Sequence, residues 1–511
     1  MSFSILYEDS EAGGTRPATL TPPACFADLN LDQVVTAITA GREDYDLEPF
    51  FYDPLRSLDA IAYRHEVLRD LEDRALLLHI RSFVQGMRVI AGRLARSESV
   101  HYPHEKQRWF LDGAHLYCQS VDSLARHLTG ANVQSRGFRR LREYLTSYTQ
   151  SAEFVSLFEE THRLLGDLST IRYALCIEGA RIEVRRYESE GDYGAEVLRT
   201  FEKFKQGGVR DYQFTFRDTS ELNHVEAAIV DRVAWLNPQI FARLDRYCAQ
   251  HRQCIEPTIR AFDREIQFYL SYLEYMEGFA PGGLPFCYPT ITDTSKAIRA
   301  HEVFDLALAS RLIREHGTVV TNDFELHGME RVLVVSGANQ GGKSTFARTF
   351  GQLHYLASLG CPVAARDAKL FLFDSLFTHF ERAEKAGNLS GKLEEELLRM
   401  HAILEQATAR SILIMNESFG ATTVSDSLFL NKEVLERIIS RDMLCVCVTF
   451  LDELSTLDRP TVSMVSTVDP DNPTRRTFKI LRQPADGRAY AEAIARKYRL
   501  TYRMIRERLA S

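Results

Sequence analysis

The sequence predicts a multidomain fold in which an all-α region with a small β-rich insert is followed by an α/β P-loop domain. Three observations predict it. From about Leu29 to Leu168 apolar residues recur at three- and four-residue spacing, as in "LDAIAYRHEVLRDLEDRALLLHIRSFVQGM", the pattern of amphipathic helices. Near Arg172 the residues become β-branched and aromatic and are broken by Gly and Asp. Late in the chain an apolar strand runs into a glycine-rich loop, "VLVVSGANQGGKST", and strands alternate with helices around it.

In chain order, residues 1–28 are an N-terminal segment and 29–171 the first helical part. Residues 172–217 are the β-rich insert, where "YALCIEGARIEVRRYESEGDYG" and "RDYQFTF" read as short strands. Residues 218–282 return as helix. Their most regular stretch is Ile255, Ile259, Phe262, Ile266, Tyr269, Leu273 and Met276, stepping by four and three, the seam of a helix lying lengthwise on another. Pro257 marks the first turn of that helix. A helix going out, a β-rich tip and a helix coming back make an arm; a plain bundle with one hairpin is the alternative. Residues 283–511 are the α/β domain. It is expected to hold a helix around Ser295–His316, a strand Val332–Ser336, a helix from Lys343, strands Ile412–Met415 and Leu444–Thr449, and a helical tail.

At 511 residues and 45% hydrophobic composition the chain can bury more than one core. Its formal net charge of -8 argues against coating nucleic acid by bulk charge, though not against a local basic channel. The nine cysteines include no CxxC pair and no repeated metal spacing, so they read as reduced thiols. Cys445 and Cys447 fall in an apolar strand and are expected to be buried packing. The N-terminus lacks a basic segment followed by an apolar run, and no run approaches the ~20 apolar residues of a membrane span. A cytoplasmic protein with no membrane contact is expected.

Gly337, Gly342, Lys343 and Ser344 fit G-x-x-x-x-G-K-[ST] between a strand and a helical pattern. Backbone N–H groups of such a loop close around a β-phosphate, the lysine neutralises β and γ oxygens, and the serine hydroxyl ligates Mg²⁺. The nucleotide-binding candidates are therefore Gly337, Ala338, Asn339, Gln340, Gly341, Gly342, Lys343, Ser344 and Thr345, with ATP and Mg²⁺ as ligands. In "SILIMNESF" an apolar strand ends in two polar residues, where a metal-binding carboxylate and a water-activating glutamate are usual. Glu417 fits the second role. Asn416 stands in the first and could reach the metal only through a bound water, with no charge to offer. In "GNLSGKLEEELLRM", Ser390 either caps its own helix or faces the γ-phosphate held by a second subunit.

These segments resemble the MutS family. "GANQGGKST" is similar to its loop GPNMGGKST, "NESFGATTVSDS" to DEIGRGTSTYDG with Thr422 and Asp426 at matching places, and "VTFLDELSTL" to ATHYHELTEL. "CPVAARDAKLFLFDSLFTHF" and, upstream, "PLRSLDAIAYRHEVLRDL" also resemble family segments. The likeness is most specific from Val319 to Leu457. It implies an ABC-type ATPase domain over 283–511 with a dimerisation-type tail, preceded by a helical core and lever whose β-rich tip is clamp-like. It also implies that Ser390 acts in trans across a dimer, so that Lys343, Glu417 and Ser390 together form the catalytic set. Two positions depart from the family. Asn416 replaces a carboxylate, and Phe450 follows Thr449 where the family has histidine, which implies slow turnover. Val319 replaces the family's base-stacking aromatic.

Core-like sequence by about Leu29 leaves no room for the family's mismatch-reading domain, so reading by its Phe-x-Glu wedge is not expected. The arm could still hold phosphates without base specificity, the candidates being Arg136, Arg139 and Arg140 in "SRGFRRLREY" and Arg185 and Arg186 in the insert. The competing reading is a solvated face paired with glutamates such as Glu143 and Glu183. The resemblance thus implies a homodimeric DNA-binding ATPase that takes duplex or branched DNA with low sequence specificity and rearranges a lever and clamp on it. The alternative is a DNA-independent scaffold whose levers grip a protein. A transporter subunit rarely has so long a helical arm, and a chromosome-organising ATPase separates the two halves of its site by coiled coil, whereas Lys343 and Glu417 lie in one block.

Overall fold

The structure is a computed structural model and describes residues 3–8, 21–189, 196–197, 199–200, 221–381, 391–457, 460–472, 475–485 and 500–510. It is mixed helix and sheet, with three sheets in two compact units. The first comprises Asp70–Gln134 with Phe138–Asp263; the second comprises Ser2–Arg69, Ser135–Gly137 and Arg264–Ser511.

The first unit is helical. Helix Arg74–Ser99 packs along Pro103–Gly130, and the unit also holds Arg136–Thr149 from Phe138 onward, Ala152–Ser169, His224–Leu236 and Pro238–Gln250. Local signals fix the starts. Asp73 accepts the N–H groups of Ala75 and Leu76, Ser151 that of Phe154, and Asn223 with Glu226 forms a reciprocal capping box. Buried hydroxyls are paired, Tyr117 with Tyr148 at 2.9 Å and Thr161 with Tyr247 at 2.6 Å. Strands β1 (Tyr173–Glu178) and β2 (Arg181–Arg186) form an antiparallel hairpin over Gly179, whose φ of 61° suits the turn. The strand expected in "RDYQFTF" lies outside the described residues.

The second unit is built on two sheets. A four-stranded sheet has the order β3 (Thr290–Thr292), β7 (Asp367–Phe371), β4 (Ile298–Val303), β5 (Asn322–Leu326). The larger sheet runs β12 (Arg476–Arg482), β11 (Thr461–Val468), β6 (Val332–Gly337), β10 (Leu444–Val448), β9 (Ile412–Asn416), β8 (Leu376–Phe380). All its neighbours pair in parallel except the β12 edge. Val332–Val335 and Leu444–Val448 are buried throughout, as central parallel strands covered on both faces must be. One face carries Met400, Ile403 and Leu404 of helix Lys392–Gln406 and Leu435 and Ile438 of helix Val424–Ser440 over Val334, Leu413, Cys445 and Cys447. Against the other lies helix Lys343–Ser358, itself almost wholly buried. Its Gly351 leaves no room for a methyl, since a Cβ there would stand 2.7 Å from Ile414 Cδ1 and from Leu29 Cδ2.

Arg64 anchors the far end of that helix. Its fully buried guanidinium donates from Nη1 to the Leu359 carbonyl at 2.8 Å, the helix's C-cap, and from Nε to Leu6 at 3.3 Å. A cation there complements the helix dipole. Residues 29–69, read from sequence as part of the helical region, thus cluster with the P-loop unit.

Two expectations are corrected. The helix proposed over Ser295–His316 is strand β4 followed by a shorter helix, Leu306–Arg314. Ile298, Ala300 and Val303 point inward on the strand, and the Asp305 carboxylate accepts the Leu308 N–H to start the helix late. The helix beginning at Pro257 does exist and runs to Glu277, but it is not a single-sided seam. Glu265 to Tyr272 are buried all round, while Leu273 and Met276 are only half-buried. The N-terminal segment covers the remaining faces: Glu265 accepts from Ser4 Oγ and the Ile5 N–H, and Tyr269 donates to the Ile5 carbonyl.

All nine cysteines are free, and Cys445 and Cys447 are buried. Among the described residues no helix is long and apolar enough to cross a membrane.

Candidate functional site

Strand β6 ends at Gly337, and the loop Ala338–Gly342 leads into helix Lys343–Ser358 at the carboxyl edge of the sheet, where open α/β sheets bind ligands. Gly337 has φ 99° and lies opposite Ser466 of β11; a Cβ would stand 2.7 Å from the Ser466 carbonyl oxygen and 3.0 Å from its nitrogen. Gly341 is closed in by the Ser466 hydroxyl, which donates to the Gly341 carbonyl at 2.9 Å. Gly342, φ 94°, is the N-cap. Gln340 is left-handed without being glycine, at φ 59°. The loop is thus held by β11, and Arg476 of β12 donates from Nε to the Asn339 carbonyl at 3.0 Å.

Lys343 is buried. Its ammonium donates to the Gly337 carbonyl at 3.0 Å, to Asn339 Oδ1 at 3.1 Å and to the Ala338 carbonyl at 3.4 Å. Burial pulls it below the ordinary lysine range, and the Glu417 carboxylate opposes that pull. Thr345 Oγ1 accepts from Arg348, which also pairs with buried Asp305.

A cavity of about 580 Å³, the size of a small-molecule site, opens on this loop. Lys343, Ser344, Thr345 and Glu417 line its polar end, and Phe304, Leu308, Val319 and Phe478 its apolar side. Val319 therefore does reach the pocket. Phe478, from β12, is an aromatic that sequence reasoning missed, because strand pairing brings it there over a long separation. Asn322 holds that strand, its side chain bonding both the Phe478 carbonyl and the Ile480 N–H.

Asn416 closes strand β9, and Glu417 follows with φ 53°; two residues later Phe419 has φ 58°. Two left-handed non-glycine residues in one turn mark a backbone held under strain. Asn416 Oδ1 is buried with no hydrogen-bond partner among the described residues. That orphaned neutral oxygen ends β9, with β10 between it and β6, and its chemistry suits a metal-bound water rather than direct charge neutralisation. No cluster of three His, Cys, Asp or Glu residues competes for a metal among the described residues. Thr449 at the end of β10 is buried, and Phe450 is 51% exposed where an imidazole was missed in the sequence. Thr422 and Asp426 bond at 3.1 Å at the head of helix Val424–Ser440. Ser390 lies outside the described residues.

The arginine candidates fare differently. Arg136 is drawn into three carboxylates, Glu8 at 2.5 Å, Asp59 at 3.0 Å and Glu66 at 3.0 Å, which occupy the guanidinium offered to phosphate. Arg185 pairs with Glu183 at 2.9 Å, as the competing reading had it, and Arg186 donates to the Leu236 carbonyl. Arg139 is exposed and bonds the Gln134 carbonyl, and Arg140 is half-buried with interactions of its own.

Residues 333–497 match the family model MutS domain V. The chain is 28% identical over 299 residues to the DNA mismatch repair protein MutS of Granulibacter bethesdensis, covering 56% of this chain and 31% of that protein. With the protein of the same name from Thermotoga neapolitana it shares 26% over 351 residues, 67% of this chain and 41% of the relative. With that of Shouchella clausii it shares 24% over 456 residues, 78% and 51% respectively. The chain thus spans about half or less of the length of these curated relatives. The matched segment holds the glycine-rich loop and the Asn-Glu strand end, and these similarities are consistent with a member of the MutS family shorter than full-length MutS.

Proposed function

We propose that the protein is a MutS-like, DNA-binding ATPase of the ABC type. One observation carries this reading: a buried P-loop lysine and Glu417 both line one cavity of nucleotide size. The loop N–H groups and the N-terminus of helix Lys343–Ser358 would hold the β-phosphate. Lys343, released from its three loop acceptors, would move to the β and γ oxygens. Phe304, Val319 and Phe478 offer the base an apolar wall. Mg²⁺, when bound, would neutralise charge between the β and γ phosphates, and Ser344 with Asn416 through water would hold it. Glu417 would orient the attacking water and take its proton as the water oxygen bonds to the γ-phosphorus and the β–γ bridging P–O bond breaks, giving ADP and phosphate. With no carboxylate at 416 and no imidazole at 450, turnover is slow.

Two chains would complete the sites, with Ser390 of each meeting the γ-phosphate of the other, and closure would move the helical levers and the β1–β2 tip on DNA. The family relationship supports this. A DNA-independent scaffold that grips a protein is the second reading. It is favoured by the ion pairs at Arg136 and Arg185 and by apolar exposure at the tip unit, where Ile177 is 67% and Trp235 75% exposed.

Phosphate release under excess ATP·Mg²⁺ tests the hydrolytic claim. Glu417→Gln is expected to lower kcat by about 100-fold or more while leaving ATP affinity within about threefold. Equal kcat in the two proteins would remove Glu417 from the reaction.

A further inference from the structure

The turn Glu417-Ser418-Phe419 is strained at both ends, with φ 53° and 58° on residues that carry a Cβ. Something must hold it, and three elements do. Asn431 of helix Val424–Ser440 donates from Nδ2 to the Ser418 carbonyl at 3.2 Å. His379 of β8, fully buried, meets Ser418 Oγ through Nδ1 at 2.8 Å and the Glu396 carbonyl through Nε2 at 3.2 Å. That carbonyl can only accept, so the ring proton sits on Nε2 and Nδ1 accepts from the serine. The third element is the Glu396 side chain of helix Lys392–Gln406. Its Oε2 accepts the Phe419 N–H at 2.7 Å.

Glu396 is 4% exposed and its Oε1 has no partner among the described residues. Burial pushes the carboxyl up, with the Phe419 N–H opposing. A buried carboxyl with one oxygen unpaired is costly, and a packing role would be met by leucine or methionine. What those residues cannot supply is an acceptor for the Phe419 N–H, which would then be orphaned in the core.

We infer that Glu396 is a positioning residue that fixes the turn carrying Glu417, through its bond to the Phe419 N–H. The inference rests on the proposed role of Glu417 for its consequence in hydrolysis, and on the geometry alone for its consequence in the backbone. Glutamine keeps an acceptor oxygen and the volume; alanine keeps neither.

The test joins two readouts on the full chain, wild type against Glu396→Ala and Glu396→Gln. Hydrogen exchange at the Phe419 amide is expected to quicken about tenfold or more in Glu396→Ala, relative to amides of β6 and β10, and to stay within about twofold in Glu396→Gln. Phosphate release is expected to follow, with kcat down about tenfold in Glu396→Ala at unchanged ATP affinity and restored in Glu396→Gln. Unchanged Phe419 exchange in Glu396→Ala, or a glutamine variant as impaired as the alanine one, would overturn the inference. A wild-type chain that binds ATP without turnover would refute the hydrolytic reading instead, and the exchange comparison would still decide whether Glu396 holds the turn.

Discussion

Replacing Gly337 by alanine tests how the P-loop is held. Two costs add. At φ 99° an L-residue pays about 1–3 kcal/mol for a sparsely populated conformation. The new methyl would also stand 2.7 Å from a carbonyl oxygen and 3.0 Å from a nitrogen, both backbone atoms of Ser466, so a strand and not a flexible side chain must move. Overpacking of that kind costs about 1–3 kcal/mol more, for a total near 4 kcal/mol. Gly328 supplies the control. It too has positive φ, 53°, but no atom lies within 4 Å of its Cβ position, so Gly328→Ala should cost only about 1 kcal/mol. Urea unfolding followed by circular dichroism reads both, and fluorescent-ATP titration is expected to show binding lost in Gly337→Ala and kept in Gly328→Ala. If the two variants unfold within about 1 kcal/mol of each other, the contact with β11 does not constrain the loop and the reasoning fails.

Other predictions follow from the same geometry. Because burial lowers the Lys343 pKa, the native state binds fewer protons than the unfolded chain between that lowered value and 10.5; wild-type stability should therefore rise relative to Lys343→Met as pH climbs through the window, read by thermal melts from pH 7 to 10.5 without nucleotide. Asn416→Asp should lower the Mg²⁺ concentration for half-maximal phosphate release about tenfold, and destabilise the metal-free protein by burying a carboxylate where Oδ1 has no partner. Arg136→Ala should lower the urea midpoint by removing the shared partner of Glu8, Asp59 and Glu66, with DNA affinity unchanged.

The parts of the site that were legible in sequence are contiguous. A strand, a glycine loop and a lysine at fixed spacing declare one another, as do an apolar run and its Asn-Glu end. What was not legible arrives across long separations: Ser466 and Arg476 on the loop, Phe478 on the pocket, Glu396 on the Phe419 amide. The arginines show the same limit. Sequence left Arg136 open between phosphate and a nearby glutamate such as Glu143, because its actual acceptors lie at positions 8, 59 and 66. The error over Ser295–His316 has a local cause. Ile298 and Ala300 alternate as in a strand, but an irregularity breaks the alternation before Val303, leaving too short a pattern to outweigh the helical one that follows. Glu265 to Tyr272 exceeded a single seam because the N-terminal segment, with no periodicity of its own, packs on the face a two-helix pairing would leave open.

Fluorescence anisotropy of labelled homoduplex, single-mismatch duplex and four-way junction DNA, with and without ATP, tests the central claim most directly when wild type is set beside Lys343→Ala. A MutS-like DNA-binding ATPase predicts binding to at least one of these DNAs that ATP changes in the wild type and not in Lys343→Ala. Absence of binding to all three at moderate salt, or identical ATP responses in both proteins, would contradict it.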